Sequence, residues 1–132
     1  MILVDSNVWI DLIQNDPLWM PWSKEQILLA RQQKSLVINP IVYAELVPNY
    51  DRFEDLAHFV KLSSAIMKPL SDKCAYEAGR AFIAYRQRGG IKTNVIADFF
   101  IGAQTVTEGW ILLTRDAARY KTYFPKIKLI CP

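Results

Sequence analysis

Residues 2–11 read ILVDSNVWID, an apolar triplet followed by an acid and then by apolar residues at helical spacing. The triplet Ile2–Val4 is typical of a short parallel strand that is buried on both faces. Asp5 follows at the carboxyl end of this strand, and we expect Ser6 or Asn7 to cap the helix that comes next. The stretch therefore predicts a strand, an acidic residue and a helix in immediate succession.

The alternation of strand and helix continues along the chain. Further strands are predicted at residues 36–38, 66–70, 111–113 and 128–130, and further helices at 23–34, 40–46, 51–65, 72–87 and from 95 onward. The expected amino-terminal caps of four of these helices are Ser23, Asn39, Ser71 and Asn94. This alternation indicates an α/β fold with a central parallel sheet flanked by helices. With 132 residues, the chain is expected to form a single domain over residues 1–132.

Four acidic residues lie beside stretches that look fully buried: Asp5, Glu45, Asp98 and Asp116. Asp5 and Asp116 follow strands, and the carboxyl ends of strands are where open α/β sheets place their sites. A buried ionised carboxylate is costly unless it pairs with a cation or binds a metal. Arg115 is the one basic residue directly beside any of the four. The pattern therefore favours a hard divalent cation with oxygen ligands, although Glu45 could instead cap another helix.

The densest basic cluster surrounds the predicted glycine turn after residue 87 and consists of Arg86, Arg88 and Lys92. These side chains either contact phosphates or complement the dipole at the carboxyl end of a helix. The net charge of +3 and the isoelectric point near 8.9 are only mildly basic. If the four acids converge, the rest of the surface is more positive than this total, which suits a polyanionic substrate.

A group of large apolar side chains, Trp9, Trp19, Met20 and Trp22, has two interpretations. Tryptophan and methionine are enriched in protein interfaces, so the group could form a surface for a partner. The same side chains could instead fold back onto a small core.

Several other classes of protein are disfavoured by the sequence. Cys74 and Cys131 lack the spacing of a zinc site or a disulfide framework, and His58 has no neighbouring ligand types. The run that ends at Asp5 is too short for the core of a signal peptide, and no apolar stretch of about twenty residues is present. We therefore expect a cytoplasmic protein without a membrane span, folded throughout, since 52% of its residues are hydrophobic.

Four ordered motifs together resemble the PIN-domain ribonucleases, and among them the VapC toxins of toxin–antitoxin pairs. They are ILVDSNVWID (2–11), VYAEL (42–46), IADFFIGA (96–103) and LLTRDAARYKTYFP (112–125). The resemblance spans the chain and implies a PIN-like α/β domain with a parallel sheet. It also places the four acids on the family's acidic quartet. Gln104 and Thr105 follow IGA where related sequences often carry other residues, which leaves the role of that helical turn open.

The resemblance implies a metal-dependent endoribonuclease, the toxin of a type II toxin–antitoxin system. In this interpretation Asp5, Asp98 and Asp116 hold Mg²⁺ or Mn²⁺, and Glu45 binds a second ion or acts as the base. Supporting roles fall to Ser6 and Thr114, and the RNA backbone is held by Arg86, Arg88, Lys92 and Arg115. The implied partners are an RNA substrate, a VapB-type antitoxin and a second copy of the chain, with the tryptophan-rich group as the antitoxin surface.

Two alternatives come from other functional classes. A haloacid-dehalogenase-like phosphatase also begins with a strand and an Asp, but it needs a second Asp two residues later, where this chain has Asn7. The other alternative is a non-catalytic PIN-like module that binds RNA or protein. Metal-dependent RNA cleavage distinguishes the enzyme from this module.

Overall fold

The structure is a computed structural model that describes residues 1–132. A five-stranded sheet in which every neighbouring pair is parallel lies at its centre. The strands are β1 (Ile2–Val4), β2 (Leu36–Ile38), β3 (Ile66–Met67), β4 (Ile111–Leu113) and β5 (Lys128–Ile130). Their order in the sheet is β3-β2-β1-β4-β5. The predicted α/β class and parallel sheet are therefore confirmed.

Seven helices flank the sheet. They are α1 (Ser6–Ile13), α2 (Met20–Gln33), α3 (Pro40–Leu46), α4 (Phe53–Ser63), α5 (Asp72–Gln87), α6 (Ile96–Thr107) and α7 (Ala118–Tyr123). A short 3₁₀ turn, Val47–Asn49, follows α3. Asn39 and Ser71 cap α3 and α5 as predicted, by accepting hydrogen bonds from Val42 N–H and Cys74 N–H. Gly89, with φ of 87°, ends the segment after α5 because glycine adopts this conformation without strain.

The strand order places a change of direction beside β1. From β1 the chain moves outward on one side to β2 and β3, and it then returns to form β4 on the other side. Val4 is in register with Leu113, so β1 and β4 end at the same level. Asp5 and Thr114 therefore leave the sheet side by side. In open α/β sheets this position, between adjacent strands whose connections diverge, is where ligands bind.

The core consists of the sheet and the inner faces of the helices. The three residues of β1, the three of β2 and the last two of β4 are each at most 1% exposed, whereas Ile111 at the start of β4 is half-buried. Trp9 of α1 is 1% exposed and packs edge to face on Phe59 of α4, with ring centroids 5.8 Å apart. A rigid core of this kind holds the carboxyl ends of the strands in fixed positions.

Three predicted helix starts are wrong. Asp5 itself caps α1 by accepting from Ser6 N–H, where Ser6 or Asn7 was expected. Helix α2 begins at Met20 instead of Ser23, because Ser23 is buried inside the helix and donates its hydroxyl proton to Asp11 at 2.6 Å. Asn94 does not cap α6, whose N-cap is Val95 without any side-chain hydrogen bond.

Two further differences concern short elements. Strand β3 covers only Ile66–Met67 of the predicted 66–70, because Pro69 has no N–H to donate to a sheet. Helix α7, Ala118–Tyr123, was not predicted at all. It has six residues and no side-chain cap, so its sequence carries little helical signal. No helix of the structure is both long and apolar enough to cross a membrane.

Candidate active site

Asp5 lies at the centre of the site and is only 4% exposed. Its backbone N–H donates to the Leu113 carbonyl oxygen at 2.9 Å, which continues the pairing of β1 with β4. Its Oδ1 accepts from the Ser6 backbone N–H at 2.8 Å. Its Oδ2 accepts from Thr114 Oγ1 at 2.8 Å and from the Tyr120 hydroxyl at 3.0 Å. Donors from α1, from the end of β4 and from α7 thus fix one buried carboxylate.

Thr114 and Asn7 connect Asp5 to the loop after β4. The fully buried Thr114 Oγ1 also accepts from the Asp116 backbone N–H at 3.1 Å. Asn7 Nδ2 lies 3.3 Å from Asp5 Oδ2 and 3.2 Å from Thr114 Oγ1, and Asn7 Oδ1 accepts from the Arg115 N–H at 3.1 Å. These bonds hold the backbone of Asp116 close to Asp5 and leave the Asp116 side chain exposed.

Ser6 links Asp5 to Glu45, which α3 brings to the same end of the sheet. The Ser6 hydroxyl donates to Glu45 Oε1 at 3.2 Å and lies 3.5 Å from Asp5 Oδ1. Glu45 is half-buried, and Ser6 is its hydrogen-bond partner, so Glu45 does not cap another helix. The hydroxyl groups of Ser6 and Thr114, which the sequence interpretation gave a supporting role, both contact acids of the site.

Asp98 enters the site from the first turn of α6. Arg119 of α7 donates from Nη1 to Asp98 Oδ2, and both side chains are about a third exposed, at 30% and 32%. The sequence interpretation had placed only Arg115 beside the acids, and that was wrong. The structure places a different arginine, Arg119, on one of the four.

The electrostatics of the site reflect carboxylates that crowd one another. Burial raises the pKa of Asp5, hydrogen bonding from Thr114 opposes this, and the charge of Asp98 raises it further. Burial and then the charge of Asp5 raise the pKa of Glu45 to about 7. Burial also raises the pKa of Asp98, against the opposing effect of Arg119. The charges of Asp5, Glu45 and Asp98 therefore act on one another, and the charge of Asp116 acts on Asp98.

The donor set fits a hard divalent cation. It offers carboxylate oxygens that face one another with a single arginine among them, and such oxygens are the preferred ligands of Mg²⁺ and Mn²⁺. Asp5 Oδ1 has spare acceptor capacity, since the Ser6 N–H is its only short donor. As they stand, however, no three His, Cys, Asp or Glu side chains are arranged to hold a metal ion. Metal binding therefore requires side chains of the site to move.

Arg115 has partners outside the acid site. Its Nε lies 2.8 Å from Oδ2 of Asp11, a carboxylate that is 1% exposed, and its guanidinium stacks 5.1 Å from the centroid of the Trp19 ring. Asp11 also accepts from Ser23. This second buried acid was missed by the sequence interpretation. Its partner, Arg115, is distant in the sequence and carries no pattern that identifies the pair.

The other three basic candidates lie at the exposed carboxyl end of α5. The guanidinium of Arg88 sits 5.3 Å from the centroid of Tyr123 on α7, and that of Arg86 sits 5.2 Å from Phe82. Lys92 follows in the next loop, where its backbone N–H donates to the Tyr85 hydroxyl at 3.1 Å. Through Tyr123, which is one helical turn after Arg119, Arg88 adjoins the same helix that contacts the acids.

The comparisons with known proteins agree with this architecture. A family model described as PIN domain matches residues 2–125 of the chain. No curated protein matches the chain significantly. Among solved structures, the chain is similar to one described as VapBC2 from Rickettsia felis bound to a DNA fragment from its promoter. That match has a TM-score of 0.75 and 23% identity, and it covers 100% of this chain and 99% of the other.

Two further structures show the same fold at comparable coverage. VapBC-1 from nontypeable Haemophilus influenzae matches with a TM-score of 0.74 and 18% identity over 99% of this chain and 98% of the other. FitAcB from Neisseria gonorrhoeae matches with a TM-score of 0.62 and 19% identity over 98% of this chain and 96% of the other. At these identities the likeness establishes the fold.

Proposed function

The chain belongs to the PIN domain family, and on that basis we propose that it is a metal-dependent endoribonuclease and the toxin of a type II toxin–antitoxin pair. The observation that supports this proposal most is that the Ser6 hydroxyl contacts both Asp5 and Glu45 at the carboxyl end of β1, with Asp98 near enough for its charge to act on both. PIN domains generally use divalent metal ions. The burial of Asp5 and Glu45 without a cationic partner is poorly explained as a structural device, because an unpaired buried charge destabilises the fold.

The ligands of the metal are Asp5, Asp98 and Asp116 in this proposal, with Mg²⁺ or Mn²⁺ as the ion. A divalent ion bound there supplies Lewis-acid stabilisation of the negative charge that develops on a phosphodiester during hydrolysis. Thr114 and Tyr120 hold Asp5 Oδ2 and so fix the orientation of this carboxylate, whose Oδ1 lies 3.5 Å from the Ser6 hydroxyl that contacts Glu45. The hydrogen bond that the Asp116 backbone N–H donates to Thr114 Oγ1 keeps that acid within reach.

Glu45 is the base that activates the attacking water in this mechanism. Its pKa of about 7 matches the requirement that a general base be ready to accept a proton near neutral pH. The Ser6 hydroxyl holds Oε1 of Glu45 and leaves Oε2 without a protein donor. Glu45 therefore needs no covalent partner and no rearrangement of α3 to act as a base.

The RNA backbone is proposed to leave the site across α7 and to reach Arg88, with Arg86 and Lys92 further along the same exposed surface. Arg88 is oriented by its stacking on Tyr123, so the charge is held near the site at a low cost in side-chain entropy. Arg115 contributes less in this account, because Asp11 already pairs with its guanidinium.

The test of this function is cleavage of total RNA that includes tRNA by the purified chain, resolved on a gel. Discrete fragments are expected with Mg²⁺ or Mn²⁺, and intact RNA is expected with EDTA. Single-stranded DNA of matched length serves as the control substrate and should remain intact. Intact RNA under every condition would favour the non-catalytic binding module, and equal cleavage in EDTA would contradict the metal requirement.

A VapB-type antitoxin is the proposed partner, seated in an apolar groove between α1, α2 and α4. The groove has a volume of about 470 Å³, and its apolar lining includes Leu12, Met20, Leu28, Phe59 and Leu62. Leu28 and Leu62 are 48% and 66% exposed, which is unusual for leucines that cluster together. Two of the structural relatives named above are described as VapBC2 and VapBC-1. Lys24 and Arg31 border the groove and favour an acidic, amphipathic segment.

The position of this groove changes which residues are proposed to contact the antitoxin. Trp9 is buried in the core, whereas Trp19 and Trp22 are half-buried and pack edge to face with centroids 6.1 Å apart. Of the four predicted residues, Trp9 and Met20 line the groove, and Met20 is the more accessible of the two. The proposed antitoxin surface is therefore centred on Met20, Leu28 and Leu62.

Co-expression with a VapB-type antitoxin tests the partner. Leu62→Glu should prevent co-purification, whereas Ile91→Glu, at an apolar residue that is 84% exposed outside the groove, should leave it intact. An unchanged complex with Leu62→Glu would place the antitoxin elsewhere. Light scattering on the same samples checks the proposed homodimer, which we expect to act in the cytoplasm, where RNA and antitoxin are made.

A further inference from the structure

Arg119 is the one cation that touches the acidic cluster, and it belongs to a short helix that also touches a second acid. Arg119 donates to Asp98 Oδ2, and the next residue, Tyr120, donates its hydroxyl to Asp5 Oδ2 at 3.0 Å. Two consecutive side chains of α7 thus hold two different carboxylates. The sequence interpretation did not predict α7 and gave neither contact a role.

The two contacts differ in how easily they can be broken. Tyr120 is 2% exposed and is enclosed by the core, so its bond to Asp5 is part of the permanent framework. The Arg119 and Asp98 side chains are about a third exposed, at 30% and 32%. An ion pair that is open to water is weakened by solvent and can exchange its partner without disrupting the fold. Arg119 is therefore attached to the cluster in an exchangeable way.

The bond also occupies an oxygen that a metal ion would need. Asp98 Oδ2 carries the guanidinium, and no three acidic side chains are arranged to hold a metal ion in this state. A guanidinium and a divalent cation compete for the same carboxylate, because both are positively charged and bind its oxygens.

We propose that Arg119 is a built-in cation that occupies the metal's place on Asp98, so that metal binding exchanges this ion pair for a metal contact and releases the guanidinium toward the substrate. This inference rests on the proposed metal-dependent function. It assigns Arg119 as a residue that sets the metal affinity of the site. Once released, the guanidinium remains tethered one helical turn from Tyr123 and Arg88, beside the path proposed for the RNA.

The test is the dissociation constant for Mn²⁺ of the purified full chain, measured by calorimetry at fixed ionic strength. Arg119→Gln removes the competing charge and should bind Mn²⁺ about tenfold more tightly than wild type. Lys121→Gln removes one positive charge from an exposed position on the same helix and measures the general effect of charge. This variant should change the dissociation constant for Mn²⁺ by less than about threefold. Arg119→Lys keeps the charge and should stay close to wild type.

A second measurement needs no variant. In ¹⁵N-labelled wild type titrated with Mg²⁺, the Nε–H signal of Arg119 should move to the position of a free arginine, and the signal of Arg80 on α5 should stay in place. Equal Mn²⁺ affinity of Arg119→Gln and Lys121→Gln, or an unmoved Arg119 signal while the site saturates, would overturn the exchange but leave the metal site standing. Absence of Mn²⁺ binding by wild type and by every variant would overturn the proposed function itself and this inference with it.

Discussion

At the scale of single residues, the site is a set of acids whose positions are fixed by hydroxyl groups. Ser6 bridges Asp5 and Glu45, and Thr114 bridges Asp5 and the Asp116 backbone. The Thr114 hydroxyl donates to Asp5 and accepts from the Asp116 backbone N–H, whereas the Ser6 hydroxyl has a single proton to donate and contacts two carboxylates. These hydroxyl groups fix the positions of the acids before any cation binds.

Glu45 makes the stability of the metal-free protein depend on pH. Its pKa is raised from 4.5 to about 7 in the folded state, so the unfolded chain loses the proton first as the pH rises. The stabilising contribution of protonated Glu45 is therefore complete below pH 4.5 and is lost as the pH passes through about 7. Between about pH 5 and about pH 8, this residue should lower the free energy of unfolding by about 1–2 kcal/mol, after allowance for solvent screening.

Urea unfolding in EDTA at the two pH values measures this effect. The Glu45→Gln variant should lack this loss and should be more stable than wild type at the higher pH. Glu25→Gln, at an exposed glutamate of α2, provides the control and should follow wild type. Parallel curves for wild type and Glu45→Gln would mean that Glu45 is not buried among the acids.

The individual acids were identifiable from the sequence because each stands next to an apolar run. Their cationic and hydroxyl partners were harder to identify. Arg119 was overlooked, since nothing in ARYKTY (118–123) indicates that its side chain turns back to Asp98. Asp11 was overlooked because the partner that makes its burial tolerable, Arg115, lies beyond β4. Such pairings depend on the three-dimensional arrangement of distant segments.

At the scale of elements, α7 is the piece of the structure that completes the site. It is only six residues long, and such a helix is marginal in isolation. Its stability comes from its contacts with the core, through Tyr120 and through Tyr123, whose ring lies 5.2 Å from that of Phe99. A segment that depends on tertiary packing carries little local signal, which is why the strands were predicted accurately and α7 was not.

Tyr120→Phe tests whether RNA cleavage depends on the hydroxyl group of Tyr120 in α7. The change keeps the buried ring but removes a donor to the Asp5 carboxylate, so the rate of RNA cleavage should fall about tenfold while the fold is retained. Tyr123→Phe, one turn away on the same helix, should stay within about twofold of wild type. Equal rates for both variants would show that the hydroxyl of Tyr120 does not position Asp5 for the reaction.

The carboxyl end of α5 makes a separate prediction about RNA binding. Arg88→Gln should weaken binding of RNA several-fold and reduce its dependence on salt, because one phosphate contact is removed. Arg80→Gln, at an exposed position on the same helix, should change binding little. Filter binding in EDTA, on an Asp5→Asn background that prevents cleavage, measures both. A larger effect at Arg80 than at Arg88 would place the RNA on another face.

At the scale of the whole molecule, the sheet order determines where the chemistry lies. Strand β1 is central, β4 lies beside it, and the helices that follow or precede them bring acids from four distant segments to one end. The alternating pattern of the sequence was sufficient to predict the α/β class and the boundaries of most strands. It could not supply the order of the strands or the caps of α1 and α6, because those depend on which segments pack together.

Metal binding should stabilise the molecule as a whole. An ion that binds only the folded chain raises its stability by about 2.7 kcal/mol when present at about 100 times its dissociation constant. The melting temperature of wild type should therefore rise by several degrees on addition of Mn²⁺. Asp98→Asn should show a much smaller rise, and the rise with Asp51→Asn, at an exposed aspartate that is not one of the four acids, should equal that of wild type. A wild-type melting temperature that does not respond to Mn²⁺ would argue against a metal site.

The central claim is that the acids at the ends of β1 and β4 carry out metal-dependent cleavage of RNA. Its most direct test compares wild type, Asp5→Asn and Asp51→Asn on total RNA containing tRNA, each with Mn²⁺ and with EDTA. We expect wild type and Asp51→Asn to produce the same discrete fragments only with Mn²⁺, and Asp5→Asn to be slower by at least about a hundredfold with an unchanged fold. Cleavage by folded Asp5→Asn at the wild-type rate would contradict the claim.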